Sequence, residues 1–299
     1  MMTIVFIVSS FICFIGLFVG SITDLRTKEV PDILNFGLLA AGFGIALLAS
    51  IVFWDISYIV SSILGFSICF LLSCLMFYTG QWGGGDAKML MAVGALLGLP
   101  LTALGSFSFF SFDSFSLDAI PFLFIYLLLV FFVGGVYGLF WLIVLIIRHW
   151  HPFIDDYFSI LSQRSHKRIQ MFLFVCIVFF LILSLLSSDS MFELIFSLCT
   201  VLLFFFYYSY HVVKVIEKIA FVHDLPLHKV TEGDWVAEDI LVDGKIIVYK
   251  KDLGISAEQI AELHALAKKK KIKTVKIKYG LPFVPSFFIA FVITVLLHF

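Results

Sequence analysis

Charge is what this chain has least of. Asp, Glu, Lys and Arg make up 14% of its 299 residues, against 62% hydrophobic residues that include 37 phenylalanines, and the mean hydropathy is +1.10. So much apolar surface cannot be hidden inside one water-soluble core of ordinary size, which excludes a soluble domain and points to a bilayer. Cysteine is sparse too: Cys13, Cys69, Cys74, Cys176 and Cys199 fall in apolar runs without a CxxC pair, which excludes a zinc ribbon or a disulfide framework. The formal net charge of -1 says little about partners, and no nucleic-acid partner is expected. The first apolar run lacks a preceding basic residue and a small-residue cleavage site, so it is expected to be a mature helix and not a signal peptide.

A spanning helix needs about 20 apolar residues. Eight candidates follow: Thr3 to Ile22, Ile33 to Phe53, Ser57 to Thr79, Ala87 to Phe110, Ile120 to Ile147, Ile169 to Ser187, Met191 to Val212 and Pro282 to His298. Lys and Arg accumulate in cytoplasmic loops, and here they alternate cleanly. Arg26 and Lys28 follow the first run, Lys88 begins the fourth, and Arg148, Arg164, Lys167 and Arg168 separate the fifth and sixth. The other 13 of the 20 lie from Lys214 to Lys278. The loops at Trp54 to Asp55, Ser111 to Ala119 and Ser188 to Ser190 hold none, so both termini are expected outside.

The expected fold is an all-α polytopic membrane protein with a small cytoplasmic α+β module before its last helix. Its divisions are a helical domain over 1–212, the module over 213–279 and a terminal helix over 280–299. Within the module, Ile240-Leu241-Val242 and Lys245 to Tyr249 flank Asp243-Gly244, a hairpin signature. Ser256 with Gln259 forms a capping box ahead of a helix whose Ile260, Leu263, Leu266 and Ala267 share a face, and Thr274 to Tyr279 alternates as a strand would. The lysines from Lys268 to Lys278 suit an anionic lipid surface.

Carboxylates retained beside lipid are functional candidates, because each costs several kcal/mol at the centre of a span. Asp24 ends the first run and Asp86 follows Gln81-Trp82-Gly83-Gly84-Gly85, which puts both at one face of the membrane. Each has a plainer reading. Asp86 suits the start of a helix as a cap, and Arg26 or Lys28 could neutralise Asp24. Gly83 and Gly85 have no Cβ to obstruct an unwound peptide approaching Asp86; the alternative is a tight turn. The loop from Arg148 to Pro152, with Asp155 and Asp156, lacks zinc-like spacing, and no metal is expected there.

Asp24 followed by Lys28, Val30-Pro31 and Asp32-Ile33-Leu34-Asn35, then Gly83-Gly84-Gly85-Asp86-Ala87-Lys88, resembles the type IV prepilin peptidase family, whose second aspartate lies in a GxGD motif. The match covers about the first hundred residues. The module and Gly280-Leu281-Pro282-Phe283-Val284-Pro285 look like the archaeal branch that includes preflagellin peptidases. The resemblance implies a membrane aspartyl endopeptidase of the type IV pilus and archaellum systems that removes a short basic leader from pilin-like or archaellin precursors. Asp24 and Asp86 match its catalytic pair, with Gly83, Gly85 and Lys88 in the motif and no cofactor. Bacterial relatives often add paired CxxC motifs and methylate the product; without those cysteines the resemblance does not extend to methyl transfer. Two rivals share the carboxylates: a presenilin-like intramembrane protease, and a proton or ion transporter using Asp24 and Asp86 as relays.

Overall fold

Lys28 ends the first helix by turning left-handed, φ 58°, with its N–H donating to the Asp24 carbonyl at 2.8 Å. Pro31 follows, and its fixed φ and missing N–H suit the threshold of the next helix. The structure, a computed structural model, describes residues 2–100, 120–187, 189–242, 244–252, 254–268 and 272–298. In order the helices and strands are α1 (Met2–Thr27), α2 (Asp32–Phe53), α3 (Ser57–Tyr78), α4 (Gly84–Leu97), α5 (Phe122–Arg148), α6 (Trp150–Ser162), α7 (Arg164–Leu186), α8 (Ser190–Ile216), β1 (Val222–Pro226), β2 (Trp235–Val236), β3 (Ile240–Val242), β4 (Lys245–Val248), α9 (Ala257–Lys268), β5 (Thr274–Lys278) and α10 (Val284–His298). They form two compact units, residues 1–139 with 280–299, and residues 140–279.

Six of the described helices are long and apolar enough to cross a membrane, namely α1, α2, α3, α5, α7 and α8, so this is a multi-pass membrane protein. The expectation of eight spans is met only this far. α4 has 14 residues and α10 has 15, lengths of about 21 and 22 Å against a hydrocarbon core of about 30 Å. α4 ends at Gly98, φ 64°, whereas the sequence suggested a run to Phe110. That continuation and the loop Ser111 to Ala119 lie outside the described residues.

In the first unit α4 is the central helix. Met89, Leu90, Ala92 and Val93 are all buried, as expected of a helix apolar on every side. Small residues let α3 approach it. A Cβ added to Gly65 would collide with the Gly94 carbonyl, and one added to Gly94 would come within 2.6 Å of Cys69 Sγ. Serines stitch the pair: Ser62 Oγ donates to the Ala95 carbonyl at 2.7 Å and Ser73 Oγ to the Ala87 carbonyl at 3.0 Å. Between α2 and α3, the Ser57 backbone N–H beside exposed Asp55 holds that carboxyl below the usual carboxylate range.

In the second unit the stretch after Arg148, expected as a loop, is the helix α6. Pro152 lies in its first turn, where a missing N–H is tolerated, and Phe153, Ile154, Tyr157 and Ile160 share its packed face. Among the described residues no group of three or more His, Cys, Asp or Glu is placed to hold a metal. α7 and α8 are joined by the Ser184 and Ser197 hydroxyls, 2.9 Å apart.

The module has an antiparallel sheet ordered β1-β5-β2 and a separate hairpin β3-β4. Val275 and Ile277 of β5 point inward, the alternation read from the sequence. Gly244 has the positive φ, 78°, that the hairpin requires; Asp243 lies outside the described residues. The capping box of α9 forms, with Gln259 Oε1 accepting the Ser256 N–H at 2.9 Å and Ser256 Oγ accepting the Gln259 N–H at 3.3 Å.

Candidate active site

Asp24 lies one turn before the end of α1 and is buried, only 4% exposed. Its Oδ2 accepts the backbone N–H of Val284 at 2.9 Å, at the first turn of α10. A carboxylate at the end of its own helix opposes that helix's dipole, but it suits the positive end of the helix facing it. The last helix therefore supplies a partner that the residues around Asp24 do not suggest.

Asp86 is half-buried at the third position of α4, and its Oδ2 accepts the Gly83 N–H at 3.1 Å. This is the backward half of a capping box; the forward half is missing because Gly83 has no side chain to return the bond. α4 begins at Gly84, not at Ala87, so the glycines are its entry and first turn. None of Gly83, Gly84 and Gly85 has a positive φ; the left-handed residue of this connection is Gly80, φ 71°. The Asp24 end of α1 packs on the Asp86 end of α4: a Cβ added to Gly20, one turn before Asp24, would come within 2.6 Å of Met89 Cε, three residues after Asp86.

Lys88 turns to α2, where its Nζ lies 2.6 Å from Asp32 Oδ1 and 5.5 Å from the centre of the Phe36 ring. The two side chains are 38% and 60% exposed, so water screens the pair. Asp32→Ala is expected to change folding stability by no more than about 1 kcal/mol. A melting midpoint in detergent that stays near the parent value is the check.

Two further residues, Asn35 and Trp82, lie in the quoted motif stretches but were given no role there, and they shape the site. Asn35 is buried, and its Nδ2 donates a long bond, 3.4 Å, to the Gly85 carbonyl, while its Oδ1 has no partner among the described residues. An asparagine in an apolar helix was the available signal. Trp82, just ahead of the glycines, is buried against Phe131, Phe283 and Phe287, with ring centres 6.0, 5.8 and 5.2 Å away. No sequence pattern pairs it with rings two hundred residues on.

Residues 11–143, which contain both aspartates, match the model described as Type IV leader peptidase family. The match falls on the segment that carries the motif resemblance, so that segment is similar to the type IV leader peptidases. Three archaeal relatives put the resemblance in the preflagellin peptidase branch. The preflagellin peptidase of Methanococcus maripaludis is 42% identical over 83 residues, 28% of this chain and 36% of that protein. That of Methanocaldococcus jannaschii is 40% identical over 88 residues, covering 28% and 35%, and that of Methanococcus voltae 37% over 83 residues, covering 28% and 35%. The chain thus spans little more than a third of the length of these relatives.

Proposed function

We propose that this protein is a membrane-embedded aspartyl endopeptidase that removes the short cytoplasmic leader from archaellin or other pilin-like precursors. The observation that carries the reading is the packing of the Asp24 end of α1 on the Asp86 end of α4, inside the family-matched segment. The names of the archaeal relatives support the substrate class.

In this reading 1–212 is the membrane domain bearing the pair, 213–279 is a cytoplasmic module, and 280–299 returns to the membrane. The site then faces the cytoplasm with both termini outside. That is the depth at which a basic leader meets a hydrophobic helix, and Gly83, Gly85 and Lys88 border the approach.

The chemistry is acid and base catalysis by two carboxyls that hold one proton between them. The ionised member takes a proton from water as the water oxygen attacks the scissile carbonyl carbon, and the protonated member gives its proton to the carbonyl oxygen. Collapse of the tetrahedral intermediate breaks the C–N bond. The departing amine carries away the proton first taken from water, and the gem-diol proton returns to the other carboxyl, restoring the pair.

Co-reconstitution with a precursor carrying a basic leader tests the reading, with ion flux across the same vesicles as the control. Leader removal without flux supports it. Flux that depends on Asp24 and Asp86, without cleavage, would replace it with the relay reading.

A further inference from the structure

The last helix enters the site from the far end of the chain. Val284 is completely buried, and its Cγ1 would lie 3.3 Å from a Cβ added to Gly20, one turn before Asp24. The same added Cβ would come within 2.6 Å of Met89 Cε, so Val284 meets α1 where α4 also packs. Pro285 has no N–H, and the Ser286 N–H is turned onto the Phe283 carbonyl at 2.9 Å. The Val284 N–H reaches Asp24 Oδ2, and the Phe283 backbone also bonds to that carboxyl. From the same turn Phe283 and Phe287 pack on Trp82, whose chain continues directly into Gly83 and Asp86.

We infer that the first turn of α10 is a positioning element for the aspartate pair: the Val284 N–H holds one oxygen of Asp24, and the Phe283 and Phe287 rings, through Trp82, hold the entry to Asp86. Neither aspartate helix fixes the separation of the two carboxyls alone; α10 touches the support of both. The inference rests on the peptidase reading, since it assigns a role within that reaction.

Replacing the Val284 amide by an ester deletes the N–H and keeps the side chain, while weakening the Phe283 carbonyl that accepts from Ser286. The same replacement at Ser286 weakens the same turn without reaching Asp24. The expected result is a fall in kcat of about 10- to 100-fold for the Val284 ester, the range for a hydrogen bond to a charged group, with KM near the parent value. The Asp24 carboxyl infrared band, assigned by its loss in Asp24→Asn, should shift, whereas the Ser286 ester should leave both kcat and the band near the parent. Val284→Pro removes the same N–H at a helix-initiating position that accepts proline, and should reproduce the kcat loss. Equal losses in the two esters, or an unshifted band, would overturn the inference. So would unaltered kcat in the Val284 ester beside an inactive Asp24→Asn. A fully active Asp24→Asn would instead overturn the assignment of Asp24 to the catalytic pair, on which the inference rests.

Discussion

Asp24→Asn and Asp86→Asn should each abolish leader removal while the protein still inserts and accumulates. An amide is nearly the same size as a carboxyl, so packing around Asp24 survives and the Val284 N–H keeps an oxygen to bond. The amide can neither take a proton from water nor hold one for the substrate carbonyl. Since the two carboxyls act in sequence on one substrate, neither replaces the other, and the loss in each single variant should be at least about 10²- to 10⁴-fold. The double variant should be little worse than either single one, because groups that act as a unit are not additive. Cleavage of a reconstituted precursor, followed by the mass of the product, measures this. Substantial activity in either single variant would remove the assignment.

Gly85→Val should be nearly inactive, and Gly83→Val likewise, whereas Gly84→Ala should keep most of its activity. The space around each glycine differs. A Cβ at Gly85 would sit 3.4 Å from Val30 Cβ and 3.5 Å from the Val30 backbone nitrogen, so further methyl groups would push α4 away from the segment that follows Asp24. A Cβ at Gly83 would lie 3.5 Å from Asp86 Oδ2, where its branches would cover the carboxyl. At Gly84 the nearest atom is a Phe77 ring carbon at 3.8 Å, an ordinary contact. Because none of the three has a positive φ, their requirement is one of room and not of backbone angle. If Gly84→Ala is as inactive as Gly85→Val, or if Gly85→Val remains active, the idea that these glycines keep a path open to Asp86 fails.

Much of the architecture could be read from local pattern. The membrane class follows from hydropathy, because transfer of apolar side chains out of water depends on composition over about 20 residues and little on what surrounds them. The capping box at Ser256 and the alternation in Thr274 to Lys278 are likewise set within a few residues. Asp24 and Asp86 stood out as carboxylates beside apolar runs, and the resemblance rests on the motifs around them.

The number of spans was less legible, since a helix wrapped by other helices and one wrapped by lipid have the same apolar composition. α4 is apolar on every side yet ends at Leu97, and its burial comes from the close approach of Gly65 and Gly94, which no hydropathy window detects. The stretch after Arg148 reads as a loop by its histidines and proline, but packing of Phe153 and Tyr157 makes it a helix.

What only the tertiary structure decided is who holds the carboxyls. Sequence alone put both at one face and named candidate capping and charge partners nearby. The structure brings Asp24 to a backbone N–H 260 residues away, and Trp82 to Phe287 on that same helix and Phe283 just before it. Backbone N–H groups are present at nearly every residue and leave no mark in a sequence, so only the path of the chain determines which one meets Asp24.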